Sequence, residues 1–289
     1  MSTLPDWLDI HRGQAPLLIS FPHTGTELPD DVADRFVSPW LARRDADWWV
    51  HHLYDFAQSL GATTLRTAIS RSVIDVNRDP SGASLYPGQN TTGLCPLTTF
   101  DGQPLYADGL APDQAQIDQR RARWFDPYHA ALAEEIARLR QLHSRIVVYD
   151  AHSIRSVIPH LFDGELPQFN IGSNDDRSCD PVLVDAVEQL CRSSGSSTVR
   201  NGRFKGGWIT RHYAQPGHGV HTLQMELACR GYMREPNTIT PENWPTPWQP
   251  VHAAALRAVL RHVLRHVLLA CLDFANTPSS ATAPPAAHR

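Results

Sequence analysis

Cysteine is scarce and unpatterned in this chain. The 289 residues hold five, Cys95, Cys179, Cys191, Cys229 and Cys271, and no C-x-x-C spacing occurs. An odd number without close pairs argues against a disulfide framework and against a structural zinc ribbon. Long apolar runs are missing too. Nothing approaches the ~18 residues a membrane span needs, and Met1 to Gln14 has no apolar stretch of the secretory kind. These absences point to a reducing cytoplasm. There is also no basic stripe: 26 Lys and Arg against 30 Asp and Glu give a net charge of −4. Nucleic acid is therefore not an expected partner, although local basic residues could bind a small acid. Gly206-Gly207 lacks the spacing of a Walker or Rossmann loop, so no nucleotide is implied. No internal repeat is visible, and the sequence says nothing of oligomeric state.

What remains is an ordinary enzyme composition, 42% hydrophobic and 19% charged, in a chain long enough to bury a sizeable core. Strand and helix signals alternate, which predicts the α/β class. Strands are expected at Pro16–Phe21, Thr63–Ile69, Ile146–Tyr149, Phe169–Gly172, Val199–Phe204 and His221–Leu227. A further short strand is expected over Val73, Ile74 and Val76. Helical spacing starts at Asp45 and runs to Leu60, and a long helical stretch covers Pro112 to His143, broken near Asp126-Pro127. Asp180-Pro181 reads as the N-cap and first residue of a helix to about Cys191. A last amphipathic helix spans Trp248 to Asp273. Residues 1–14 read as a loose lead-in, and 80–111 as a long loop region of the kind that often walls an active site. Residues 1–276 are expected to form one catalytic domain. The Pro, Ala, Ser and Thr of 277–289 are too poor in apolar side chains to pack and should be disordered.

Chemistry concentrates at strand ends, where open α/β sheets gather their ligands. Ile146–Tyr149 runs into Asp150-Ala151-His152-Ser153, and Leu17–Phe21 runs into Pro22-His23-Thr24-Gly25. Two strand-end histidines suggest one shared metal site. Zinc commonly takes two imidazoles and a carboxylate and leaves a position for water. Glu27, Asp45 and Asp47 are the nearby carboxylates, and the last two can equally serve a helix start. Arg71 and Arg78 flank a buried-looking segment and could grip a carboxylate bidentately, or pair internally with Asp75 or Asp79. On the strand at 221–227, Leu223, Met225 and Leu227 point one way while Gln224 and Glu226 point the other. A buried carboxylate there needs a partner or a task.

The stretches Ser20-Phe21-Pro22-His23-Thr24-Gly25, Asp45-Ala46-Asp47-Trp48, Ser70 to Arg78, Asp150-Ala151-His152-Ser153 and Gln224-Met225-Glu226-Leu227 together resemble the N-formylglutamate amidohydrolase family. The likeness runs from about residue 15 to 270. It implies a single domain with a mixed central sheet flanked by helices, related to the zinc carboxypeptidases and phosphorylase/hydrolase-like enzymes. It implies hydrolysis of N-formyl-L-glutamate, as in histidine degradation, with Zn²⁺ or another divalent ion. By the same likeness His23 and His152 are metal ligands. The relatives place a carboxylate three residues after the first histidine, where this chain has Thr26. Asp47 is therefore the expected third ligand, with Asp45 and Glu27 as alternatives. Glu226 matches the family's base, Arg71 its oxyanion partner, and Asn77-Arg78 its carboxylate grip. Arg211 is the candidate for a second substrate carboxylate, with Lys205 or Arg203 in reserve. Two rival readings remain at this point: a zinc amidohydrolase or carboxypeptidase-like enzyme for another N-acyl amino acid, and a metal-free carboxylate-binding protein.

Overall fold

Strands covered by helices on both faces must be apolar on both, and the central strands here are. In the computed structural model, which describes residues 4–83 and 93–273, β2 (Leu17–Phe21), β4 (Ile146–Ile154) and β7 (Val220–Ala228) are buried at every position. The other strands are β1 (Leu8–His11), β3 (Thr63–Thr67), β5 (Phe169–Gly172) and β6 (Thr198–Arg200). All seven join one sheet in the order β1-β3-β2-β4-β7-β5-β6. β3, β2, β4 and β7 run parallel, while β1 on β3 and β5 on β7 are antiparallel. The sheet is therefore mixed, as expected.

Three short helices, α1 (Asp30–Ala33), α2 (Pro39–Arg43) and α3 (Val50–Leu53), fill the crossover from β2 to β3. The next crossover carries α4 (Gln114–Arg120) and α5 (Asp126–Leu142). α6 (Pro181–Ser193) links β5 to β6, α7 (Trp208–His212) precedes β7, and α8 (Pro250–Asp273) closes the described chain. Alternation along the strands splits the core in two. Leu17, Ile19, Val147, Tyr149, Leu223 and Met225 face α3, α6 and α8. Leu18, Val148 and Val220 face α5 through Tyr128, Leu132 and Leu139. No helix among the described residues is long and apolar enough to cross a membrane.

Several local expectations change. The lead-in contains β1, whose polar-apolar mix suits an edge strand. Val73, Ile74 and Val76 are buried but form turns, not a strand. The backbone of this segment bonds within turns and to a loop: Val73 N donates to Ser70 O at 2.9 Å, Asp75 N to Leu94 O at 2.7 Å, and Asn77 N to the Asp75 side chain at 2.9 Å. The long helical stretch continues through a π turn at Arg121–Phe125, which delivers the chain to Pro127 in the first turn of α5 without a break. The helix expected from Asp45 is reduced to α3 and a 3₁₀ turn at Asp55–Leu60, because Trp49 has φ 64°. β4 runs on past Tyr149 to Ile154, while β7 matches the expected strand to within one residue at each end. Asp180 caps α6 by accepting from Val182 N at 3.0 Å. The tail 277–289 and residues 84–92 of the long loop lie outside the described residues.

Candidate active site

The sheet register builds the site. β2 pairs with β4 only as far as Ser20 and Asp150, while β4 and β7 stay paired to Ile154 and Ala228. In that extension Asp150 lies beside Gln224 and His152 beside Glu226. These even-numbered side chains share the face that α5 covers lower down. Here that face opens into a cavity of about 320 Å³, within the range for a small ligand. His23, just beyond β2, lines it too, as do Arg71, Asn77 and Arg78 from the turn after β3.

Asp47 completes a cluster. Its backbone N donates to His23 O at 2.9 Å, and its Oδ2 accepts from Ser153 N at 3.2 Å. That carboxylate oxygen lies 3.0 Å from His152 Nδ1 and 3.8 Å from His23 Nδ1. One ligand atom from each of His23, Asp47 and His152 lies within 4.8 Å of the others, and all three residues are buried. Each imidazole is oriented from behind. His23 Nε2 is 2.7 Å from Asp75 Oδ1, and His152 Nε2 is 3.0 Å from Asp150 Oδ2. Asp75 can take the Nε2–H of His23 and leave that ring's Nδ1 to ligate, while His152 Nε2 also lies 2.9 Å from the amide Nδ2 of Asn77 and its Nδ1 faces Asp47 Oδ2. His23 Nδ1 and Asp47 Oδ1 have no hydrogen-bond partner among the described residues. Buried polar atoms are rarely left so. Two imidazoles and a carboxylate, with unpaired atoms turned toward one point, fit a divalent metal ion.

The charges around that point are strongly perturbed. Burial, and then Arg71, push His23 down to about 4. Burial opposes protonation of His152, yet Asp150 and Asp47 outweigh it and hold the imidazole well above its ordinary value. Burial would raise Asp47, but His152, His23 and Arg71 keep its carboxyl below the usual range. Burial pushes Glu226 up to about 8, with Asp47 and Asp150 adding and His152 and Arg71 opposing. A carboxyl raised by burial beside paired histidines, in a cavity, marks a functional site.

The arginines pair internally and also face the cavity. Arg71 Nη2 donates to Asp75 Oδ2 at 2.8 Å, Arg78 Nε lies 3.6 Å from the same oxygen, and Arg71 Nη1 is 3.7 Å from Asp47 Oδ1. Asn77 is tied down at both ends: Nδ2 donates to Asp150 Oδ2 at 2.8 Å, and Oδ1 accepts from Ile209 N at 2.8 Å. Gly207 packs so close that a Cβ there would sit 2.5 Å from Asn77 Nδ2.

The alternatives for the third ligand are elsewhere. Glu27 is exposed. Asp45 Oδ2 accepts from Phe100 N at 2.7 Å. Of the cations considered for a second substrate carboxylate, Arg203 lines the cavity. Arg211 Nε donates to Gly206 O at 2.9 Å and Lys205 lies 3.0 Å from Asp175, neither of them among the lining residues. Reading by motif passed over Asp75 and Asp150 as supports for the histidines. Asp150 had a signal, since it shares His152's strand face two residues earlier. Phe100 and Gln224 also line the cavity. Gln224 Oε1 accepts from Gly207 N at 2.7 Å.

The sequence model of one family, N-formylglutamate amidohydrolase, matches residues 15–233, a span that holds every residue of the cluster. The chain belongs to the N-formylglutamate amidohydrolase family. It is 47% identical over 234 residues to an N-formylglutamate deformylase of Pseudomonas putida, covering 81% of this chain and 87% of that one. It is 50% identical over 229 residues to the N-formylglutamate deformylase of Pseudomonas aeruginosa, covering 79% and 86%. The crystal structure of an N-formylglutamate amidohydrolase from Ralstonia eutropha superposes with a TM-score of 0.76 at 24% identity, covering 92% of this chain and 99% of that one. A gene product of Agrobacterium tumefaciens does so at 0.70 and 18% identity, covering 92% and 96%. These two share the fold.

Proposed function

We propose that the chain hydrolyses N-formyl-L-glutamate to formate and L-glutamate with a divalent metal, zinc by its ligand set. The observation that carries this is the convergence of His23, Asp47 and His152 beside Glu226 and Arg71 in one cavity. The relatives at 47% and 50% identity bear the name of that activity.

A metal held by His23, Asp47 and His152 supplies Lewis acidity and lowers the pKa of a water toward ~7. The rest falls to the chain. Glu226 accepts the proton of the attacking water, whose oxygen adds to the formyl carbon. Arg71 faces the carbonyl oxygen and stabilises the negative charge that develops there. As the C–N bond breaks, Glu226 returns the proton to the leaving nitrogen. Arg78, with Asn77 beside it, holds the α-carboxylate of the substrate. Arg203, on the cavity wall, holds the γ-carboxylate in preference to Arg211 or Lys205. Asp75 and Asp150 keep the two imidazoles in the ligating tautomer.

Glu226→Gln separates base from ligand. Formate release should fall by about 10²-fold or more, with bound metal remaining near one equivalent. Loss of the metal in that variant would make Glu226 a ligand and remove it as the base.

A further inference from the structure

We propose that Phe100 sets the size of the acyl group the site accepts, and that Asp45 is the residue that positions it. This rests on the hydrolase reading above.

Beside its polar groups the cavity is lined by the apolar side chains of Phe100, Ile154, Leu161 and Phe204. Phe100 packs against the satellite core of Ile154, Ile158, Leu166 and Ala228. Its ring also lies under the guanidinium of Arg71, 4.8 Å from Cζ to the ring centroid. Arg71 is the group that faces the carbonyl oxygen. The residue stacked on Arg71 therefore borders whatever else the carbonyl carbon carries. That carbon has three substituents: the oxygen, directed to Arg71 and the ligand cluster; the nitrogen, whose glutamyl part extends to Arg78 and Arg203; and the acyl substituent. A formyl group has only hydrogen in this third direction. A methyl or longer chain meets the ring.

Such a wall selects only if it is stiff, and its anchoring is unusual for a loop. Phe100 N donates to Asp45 Oδ2 at 2.7 Å. The next residue, Asp101, takes Arg44 and Arg155, each at 2.5 Å, and Arg155 also lies 3.6 Å from Asp45. Arg44 and Arg155 are buried, while the Asp101 carboxylate they share is partly open to solvent. The backbone of Phe100 is thus clamped on both sides. Asp45 stands two residues before Asp47. One short turn therefore fixes a metal ligand with its second acid and the acyl wall with its first. This also accounts for two acids in Asp45-Ala46-Asp47 where the metal needs only one.

The test compares kcat/KM for N-formyl-L-glutamate and N-acetyl-L-glutamate in the wild type, Phe100→Ala, Phe100→Leu and Asp45→Asn, each with its metal content measured. Both Phe100 variants should shift the formyl-to-acetyl ratio toward acetyl, by about tenfold or more for Phe100→Ala. Asp45→Asn should shift it the same way with bound metal unchanged. Calorimetry should show N-acetyl-L-glutamate binding tighter to Phe100→Ala than to the wild type. If Phe100 only supports Arg71, both substrates lose rate together and the ratio stays put, which overturns the proposal. Should Phe100→Ala fail to fold, Phe100→Leu and Asp45→Asn decide. A wild type that releases no formate overturns the hydrolase reading, and this inference with it. An active wild type with an unmoved ratio in the variants overturns this inference alone.

Discussion

Asp75→Asn tests whether the site is held from behind, as its geometry requires. The Asp75 side chain is fully buried and serves His23 Nε2 at 2.7 Å, Arg71 Nη2 at 2.8 Å and Asn77 N at 2.9 Å, with Arg78 Nε at 3.6 Å. His23, Arg78 and Arg71 outweigh burial and hold its carboxyl well below the ordinary range. The amide keeps the shape and removes the charge. Deleting one partner of a buried pair costs about 3–5 kcal/mol. Arg71 retains Asp47 at 3.7 Å, so the lower end, about 3 kcal/mol, is expected. At about 2–4 °C per kcal/mol, thermal unfolding of the chelated protein should drop by about 6–12 °C. An amide oxygen can still accept from His23, but the negative charge that orients and polarises the imidazole is gone, so metal affinity in a competition titration should fall about 10–100-fold. The pH dependence has a definite sign. A depressed folded pKa gives stability that is complete above the unfolded value of about 3.9 and is lost as pH falls through the folded value. The gap between the two proteins should therefore be flat from about pH 5 to 8. A variant with unchanged melting and unchanged metal affinity would refute the role of Asp75.

Arg78→Ala and Arg203→Ala should both raise KM for N-formyl-L-glutamate with kcat less affected. Only Arg78→Ala should do so for an N-formyl amino acid without a γ-carboxylate; equal effects on both substrates would remove Arg203 from the second carboxylate. His129 is pushed down to about 4 by burial, while it bonds Val76 O at 2.8 Å and Tyr213 OH at 2.9 Å. Its folded value lies below the ordinary 6.5, so the unfolded chain takes the proton first. Its stabilising share is complete above about pH 6.5 and shrinks by up to about 1.4 kcal/mol per pH unit as pH falls toward 4. Denaturant midpoints at pH 7 and pH 5 should show a smaller loss for His129→Gln than for the wild type, and equal losses would count against this.

Much of the centre of the fold was legible because burial on both faces leaves uninterrupted apolar runs, as in Leu17–Phe21 and Ile146–Tyr149. The histidines were legible because they follow such runs directly. The strand at His221–Leu227 was legible to within one residue at each end, but the true length of β4 was not, since Asp150 and His152 break its apolar signal while the ladder to β7 continues. Val73, Ile74 and Val76 look like a strand because buried turns and buried strands use the same side chains. One bond of this turn, from Asn77 N to the Asp75 carboxylate, is invisible in a pattern of apolar positions. Asp45 and Asp47 are chemically identical and two residues apart. Only the fold separates them, by giving Asp47 the backbone N–H of Ser153 beside His152 and Asp45 that of Phe100. Arg203 and Arg211 are likewise equivalent on paper, and only the folded chain puts Arg203 on the cavity wall.

The most direct measurement is formate release from N-formyl-L-glutamate by the purified protein, after chelation and again after zinc is restored, with bound metal counted in each state. The account predicts loss of activity with loss of about one metal per chain, recovery with zinc, and neither binding nor recovery in His23→Ala or His152→Ala. Full activity in the chelated, metal-free protein would contradict it.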